Sequence, residues 1–338
     1  MKNSQKKFKE EFIERVLAIL WKQWTAFGIA GSGNPEKTLI IDPEALLLLS
    51  MTAGRFDARL FDEVIDWLET NGRFISIARL KNIAGKFDFK GLPQFTAIAN
   101  ILSRNSSLQM KWRTLKTTKS IGHQKEPFFL FPDGKKMPLK ENSDLDFLKA
   151  GFLRLPVKTR GLSRLFPNDR LSNSMLKCRA LFGINVRSDL FCLLAAIPEI
   201  HPAKAAKLLA FQSKTVQEEL NSIEMSGVLS VREDGRKKLF SLNENFAKAV
   251  LPMDGKQKVR WLNMPAMFRA IEEALLFFQN APDTVELHEK IKLNRLRNEL
   301  FSIISKGELD FMPRVAASSE SHEILETLLS ALETNQLP

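Results

Sequence analysis

The sequence predicts a mainly α-helical protein with small β-hairpins. Apolar residues recur at helical spacing through most of the 338 residues, and Asp, Ser and Pro stand where helices would begin. Alternating apolar residues flank a turn at only two places. Four regions follow from this pattern: an N-terminal helical domain at 1–106, a basic connector with a hairpin at 107–172, a helix-and-hairpin domain at 173–255, and C-terminal helices at 256–338.

The composition is that of a globular protein with an anionic partner. Apolar residues make up 44% and charged residues 26% of the chain, and the net charge of +11 favours nucleic acid as the partner. Two cysteines without a CxxC pair predict neither a disulfide framework nor a zinc module and fit a cytoplasmic protein. No segment has the roughly 20 apolar residues of a membrane span, and the charged N-terminal helix does not resemble a signal peptide.

The N-terminal region predicts one helix at 6–27 and several short helices within 43–106. Asp42 and Ser76 are expected to cap two of these short helices. The helix that follows Ser76, "IARLKNIAG", is expected to expose Arg79 and Lys81. Two interpretations stay open here: a second helix-turn-helix-like unit, or a helical bundle whose basic face is solvated.

The connector at 107–172 is rich in lysine and arginine. Its segment "FFLFPDGKKMPL" predicts a hairpin around the Pro-Asp-Gly turn at 132–134. The connector could lie along a phosphate backbone, or it could be a solvated linker. The basic residues that raise this question are Lys111, Arg113, Lys116, Lys119, Lys125, Lys135, Lys136 and Lys140.

The segment 186–242 predicts three helices followed by two strands around an Asp-Gly turn. Ala206 and Ala210 are small residues where two helices would cross and turn. Val216, Leu220 and Ile223 form the inward stripe of the third helix. The residues left on the outward face are Lys214, Thr215, Gln217, Glu218 and Asn221.

This pattern resembles the winged helix-turn-helix of bacterial transcriptional regulators, most closely the arsenic-repressor and multiple-antibiotic-resistance-repressor types. The Ala-Ala-Val-Leu spacing and the stretch "SGVLSVREDGRKKLFSL" support the resemblance, which covers only 186–242. Ala210 replaces the glycine that is often found at the turn. The resemblance implies that the third helix, at 213–226, enters the major groove, and that the hairpin at 228–242, here called the wing, lies against the DNA backbone.

The resemblance assigns roles to ten residues. Gln bonds adenine bidentately, Lys reaches guanine acceptors and Glu accepts from cytosine, whereas Lys and Arg on a wing neutralise phosphates. The expected base contacts are Lys214, Thr215, Gln217, Glu218 and Asn221. The expected backbone contacts are Ser213, which is also expected to cap the third helix, Arg232, Arg236, Lys237 and Lys238.

No sequence motif indicates catalysis, a cofactor or a metal. The chain has no GxSxG, HExxH or GxxxxGK[ST] motif, so an enzyme is not expected. The four histidines, His123, His201, His288 and His322, do not have ligand spacing. Cys192 lies on an apolar helix face and is expected to be a core thiol.

The C-terminal region predicts three helices, at 263–279, about 283–305 and 319–333. They are expected either to form a homodimer or to pack only on their own chain. The function expected from the sequence is a cytoplasmic transcriptional regulator that binds double-stranded DNA, with a partner or effector at the N-terminal domain. The alternative is a protein-interaction adaptor or antitoxin-like factor whose winged helix mediates protein contacts.

Overall fold

A computed structural model describes residues 2–31, 34–37, 39–115, 125–139, 143–251, 260–280, 286–307, 309 and 320–333. These residues are mainly helical, which confirms the predicted fold class. The helices are α1 Lys2–Phe27, α2 Pro43–Ala53, α3 Ala58–Asn71, α4 Ile77–Phe87, α5 Leu92–Leu102, α6 Gln109–Trp112, α7 Leu145–Lys149, α8 Ser174–Phe182, α9 Val186–Ala196, α10 Pro202–Leu209, α11 Ser213–Glu224, α12 Glu244–Val250, α13 Met264–Asn280, α14 Glu286–Gly307 and α15 Ser321–Glu333.

The β-structure of these ranges is limited to two small sheets. Strands β1 (Glu126–Pro127) and β2 (Phe152–Leu153) pair in parallel, and β3 (Leu229–Asp234) and β4 (Lys237–Leu242) form an antiparallel hairpin. The hairpin predicted around 132–134 is a tight turn with a single bridge between Leu130 and Lys136.

Side-chain caps start the short N-terminal helices as predicted. The Asp42 carboxylate accepts a hydrogen bond from the Ala45 amide at 3.0 Å and begins α2. The Ser76 hydroxyl accepts from the Arg79 amide at 3.3 Å and begins α4. Both caps satisfy amides that a helix cannot satisfy internally, so these helix boundaries are fixed by local chemistry.

Two hydrophobic cores organise the chain. The first combines α1–α5 with the C-terminal helices α13, α14 and α15, and the second consists of α8–α11, the wing and α12. Met267, Ile271 and Leu275 of α13 are fully buried, and α13 packs against α2. The regions 1–106 and 256–338 therefore share one core, and the apolar stripe that was a candidate dimer face is covered by the chain itself.

Five buried charged residues join the two cores. This buried ion network consists of Asp42, Glu44, Arg79, Arg179 and Asp189, and each is at most 3% exposed. The Arg179 guanidinium donates to both carboxylate oxygens of Glu44, at 2.6 and 2.9 Å, and to both of Asp189, at 2.9 and 3.0 Å. Because α8 and α9 supply Arg179 and Asp189, these bonds attach the second core to the start of α2.

Arg79 completes the network from α4. Its guanidinium donates to the two oxygens of Asp42 at 2.8 and 2.5 Å, and to Glu44 at 2.6 Å. Its Nε donates to the carbonyl of Leu209 at 2.9 Å, at the end of α10. The expectation that Arg79 is exposed is therefore wrong, because three carboxylates from α2 and α9 surround it. Lys81 is exposed as expected.

Acidic residues of α3 hold part of the connector in place. Arg154 donates to Asp62 at 2.8 Å, and Arg160 pairs with Glu63. The Asp66 carboxylate accepts from the amides of residues 161 and 163 at 2.7 and 2.8 Å. This part of the connector is a bound strap and not a solvated linker. Lys116, Lys119 and Lys140 lie outside the described residues.

Removing one arginine from the buried ion network should lower the free energy of unfolding more than removing an exposed arginine. Arg79→Met and Arg179→Met each leave buried carboxylates without a counter-charge, and we expect each to lower the free energy of unfolding by about 3–5 kcal/mol. The double variant should lose more than the sum of the two single losses, since Glu44 keeps one arginine partner in each single variant and has none in the double variant. Urea denaturation measures these values. Arg113→Met, on an exposed arginine, is the control and should change stability by less than about 0.5 kcal/mol. Additive losses would show that the two arginines act separately.

The buried ion network should also make the fold sensitive to acid. The Arg179 and Arg79 guanidinium groups outweigh burial and lower the pKa of Glu44 from 4.5 to about 2. A carboxylate with a lowered folded pKa stabilises the protein above its unfolded pKa, and this stabilisation is lost as the pH falls toward 2. We expect Glu44 to contribute about 3 kcal/mol that disappears between about pH 5 and pH 2. Urea denaturation at several pH values should show a shallower dependence for Glu44→Gln than for wild type, and equal slopes would contradict the assignment.

Candidate nucleic-acid interface

Helices α9, α10 and α11 and the wing form one unit, residues 186–242, here called the helix–hairpin unit. Val216, Leu220 and Ile223 of α11 are buried as predicted and pack in the second core with α9 and α10. The underside of α11 is therefore fixed by apolar contacts, so its opposite face is held at the surface.

The turn between α10 and α11 is built on an alanine in the left-handed conformation. Ala210 has φ 57° and ψ 38°, a region that costs a residue with a Cβ roughly 1–2 kcal/mol. Its methyl group is 95% buried, and this burial offsets part of that cost. The amide of Phe211 donates back to the Ala206 carbonyl at 3.1 Å and closes the end of α10.

The wing is attached to the body of the unit through Phe240. Ile200, in the link between α9 and α10, exchanges both backbone hydrogen bonds with Phe240 at 3.0 Å, so a single antiparallel bridge joins this link to β4. The Phe240 ring is fully buried. The base of the wing is therefore rigid, and its tip, from Glu233 to Lys238, extends into solvent.

The outward face of α11 is open and polar. Lys214 and Glu218 are 87% and 64% exposed, and their charged atoms are 3.9 Å apart. Gln217 is half-buried and donates from its amide to the Asn221 side chain at 3.0 Å, which orients both groups. Thr215 and Asn221 are exposed. The structure thus brings together all five residues that were expected to contact bases.

Helix α11 begins without a side-chain cap. Ser213 is its first residue, Gln212 occupies the N-cap position and no side chain bonds to the first amides. The expectation that Ser213 caps this helix is therefore wrong, because the helix starts one residue earlier than the sequence suggested. The backbone donors of the first turn face solvent beside exposed Lys214, and a helix N-terminus of this kind attracts anions.

The basic residues of the wing that are predicted to contact phosphates differ in whether their side chains already have a partner in the protein. Arg232 is held by Glu199, with donor–acceptor distances of 2.6 and 3.0 Å, and this guanidinium lowers the pKa of Glu199. Arg236 is exposed in the turn after Gly235. Lys237 and Lys238 are also exposed, opposite Asp234 and Glu233 across the hairpin. Three of the four basic residues of the wing thus project freely from its tip.

The positive charge of the chain lies mostly outside the helix–hairpin unit. Residues 186–242 contain eight Lys or Arg against seven Asp or Glu, whereas the connector, 107–172, contains fourteen against six. An anionic partner that matches the net charge of +11 would therefore contact more than α11 and the wing.

Other titratable side chains cluster outside the helix–hairpin unit or in its core. Cys178 and Cys192 are both fully buried, which confirms the prediction that Cys192 is a core thiol. Burial raises the pKa of the Cys192 thiol. Within the described ranges no group of three or more His, Cys, Asp or Glu side chains could hold a metal ion. Glu273 and Glu299 line an open groove of about 350 Å³ between α13 and α14, where the hydrogen bond between them raises the pKa of Glu299.

Sequence reasoning missed both this carboxylate pair and the buried ion network, since each assembles residues that are distant along the chain.

No helix in the described part of the chain is both long and apolar enough to cross a membrane. A scan against protein-family models found no match, and searches of curated proteins and of solved structures found none either.

Proposed function

We propose that this protein is a transcriptional regulator that binds double-stranded DNA through α11 and the wing. The observation on which the proposal rests is the placement of five polar side chains on the open face of α11, next to an uncapped helix N-terminus and a projecting basic hairpin. A helix of this kind fits the major groove, where Gln, Lys and Asn distinguish bases by their edges. The positively charged side chains of the wing would neutralise the flanking phosphates.

In this proposal the residues divide into base contacts and backbone contacts. Lys214, Thr215, Gln217, Glu218 and Asn221 contact bases. Ser213 contributes its backbone amide to a phosphate, and Arg236, Lys237 and Lys238 contribute charge. Arg232 contacts a phosphate only if it exchanges Glu199 for the DNA, so its contribution is smaller.

A homodimer in the cytoplasm is part of the same proposal. Since the apolar stripe of α13 is covered, a second copy would pack on α14, where Ile291 and Phe301 are 61% and 41% exposed. A two-fold dimer would place its half-sites about 34–36 Å apart or a multiple of this distance. In the same proposal, the N-terminal domain at 1–106 binds a protein partner or an effector.

The alternative function is a protein-interaction adaptor or antitoxin-like factor. Two observations favour it: the helix–hairpin unit is nearly neutral in charge, and Met225, at the end of α11, is 90% exposed. In this alternative, Met225 would pack against an apolar side chain of the partner protein. The two functions differ in salt dependence, because phosphate contacts release counterions and apolar contacts do not.

Neutralising the wing should weaken DNA binding equally on all sequences. We expect Lys237→Gln with Lys238→Gln to make the slope of log binding constant against log salt shallower by about 1.8, since each phosphate contact contributes about 0.9. Fluorescence anisotropy with a random-sequence 30-base-pair duplex, over a series of salt concentrations, measures this slope for wild type and variant.

Gln217→Ala is the matched contrast, because this residue is expected to contact a base. It should leave the salt slope unchanged and alter which sequences are selected from a random pool of duplexes. We expect the variant to lose about 1–3 kcal/mol of discrimination between bases at one position of the DNA site. If wild type binds no duplex at low salt, the proposed function is wrong. If it binds and neither change affects affinity or selection, α11 and the wing are not the interface.

A further inference from the structure

Helices α13 and α14 form the walls of the open groove of about 350 Å³, here called the α13–α14 groove. This volume is at the lower end of the range for sites that bind small molecules, which is about 300–1,000 Å³. The lining combines apolar side chains with charges of both signs. The lining residues are Glu273, Leu276 and Phe277 of α13 and Lys292, Arg295, Leu296 and Glu299 of α14.

Three of the lining residues are apolar. Leu276 and Phe277 follow Glu273 by three and four residues, so these three side chains lie on one face of α13. Leu296 of α14 is 2% exposed, whereas Leu276 and Phe277 are half-buried. A ligand that covered the two half-buried side chains would remove their remaining apolar surface from water, which is favourable. The α13–α14 groove therefore suits a ligand with an apolar part.

Two carboxylates meet across the α13–α14 groove. Glu273 and Glu299 are hydrogen-bonded to each other, and because an ionised carboxylate only accepts hydrogen bonds, the pair must hold a proton. Each carboxylate also accepts from an arginine of its own helix, Glu273 from Arg269 at 2.5 Å and Glu299 from Arg295 at 3.2 Å. An ammonium group has three donors and a full positive charge, so it can replace the shared proton and bond both carboxylates.

Lys292 brings a positive charge into the same groove. It is half-buried, and none of the side chains that the structure describes forms an ion pair or a hydrogen bond with its ammonium group. Arg295, one turn further along α14, bonds Glu299 through Nε, and its side chain is 82% exposed. A carboxylate from outside can accept from an ammonium and a guanidinium at once. Lys292 and Arg295 thus form an anion site beside the carboxylate pair.

We propose that the α13–α14 groove binds a small zwitterion with an apolar side chain, which is the chemistry of an apolar α-amino acid. The carboxylate of the ligand contacts Lys292 and Arg295, its ammonium group bonds Glu273 and Glu299, and its side chain covers Phe277. A ligand with only one of the two charges would leave one of these charged pairs without a partner. The groove belongs to the C-terminal helices and is separate from α11 and the wing, so the inference does not depend on the proposed function.

Isothermal titration calorimetry of the full chain with three matched compounds tests the proposal. L-phenylalanine carries both charges, 3-phenylpropionate lacks the ammonium group, and 2-phenylethylamine lacks the carboxylate. We expect L-phenylalanine to bind with a dissociation constant below about 1 mM. Each of the other two compounds should bind at least about tenfold more weakly, since each loses hydrogen bonds between charged groups.

Three results of this titration would overturn the proposal. Equal affinity for L-phenylalanine and 3-phenylpropionate would show that the groove is an anion site only. Equal affinity for L-phenylalanine and 2-phenylethylamine would show that it is a cation site only. If neither L-phenylalanine nor L-leucine binds, the groove is not a site for an apolar amino acid.

Two charge-neutralising variants locate the site. Lys292→Gln should reduce the preference for L-phenylalanine over 2-phenylethylamine to less than about twofold, and Glu299→Gln should do the same for the preference over 3-phenylpropionate. The matched controls are Lys149→Gln on α7 and Glu14→Gln on α1, both at exposed residues, and they should keep both preferences. Thermal melting verifies that each variant is folded. If all four variants bind the three compounds as wild type does, the ligand binds elsewhere and the inference is wrong.

Discussion

The ion pairs among Asp42, Glu44, Arg79, Arg179 and Asp189 are the constraint on which the arrangement of this protein depends. Five charges without access to water are tolerable only when each is paired in a fixed geometry. Four separate helices or helix starts supply them, so α4, α8 and α9 can satisfy these charges in one relative position only. The network therefore sets how the helix–hairpin unit sits on the first core, and with it the position of α4 beside the turn before α11.

Because the ion network fixes this arrangement, it also determines which surface features lie close together. The helix–hairpin unit carries the side chains proposed to contact DNA, and by itself it is close to neutral. Most of the positive charge belongs to the connector. In the proposed function, base recognition would come from the helix–hairpin unit, and much of the electrostatic attraction would come from the connector.

The sequence predicted local features well and distant ones poorly. The caps Asp42 and Ser76, the inward stripe of α11 and the hairpin around the Asp-Gly turn follow from residues a few positions apart, and the structure contains them. Arg79 was expected at the surface because helical periodicity describes only α4, and its partners lie 35 to 130 positions away along the chain. The shared core of α2 and α13 was hidden for the same reason. Of the candidate site, the exposed face of α11 could be predicted, whereas the pairing of Arg232 with Glu199 required the fold.

The measurement that tests the central claim most directly is photocrosslinking from single positions of the full chain to duplex DNA. A photoreactive phenylalanine analogue at Gln217 should crosslink to bases, and one at Lys237 should crosslink to the flanking DNA, in amounts that fall as salt is raised. The same analogue at Ile291 of α14, which is 61% exposed, should give no crosslink to DNA. Crosslinks at Gln217 and Lys237 alone are the result expected from a DNA reader built on α11 and the wing. Equal yields at all three positions, or none at Gln217 when the duplex is bound, would contradict it.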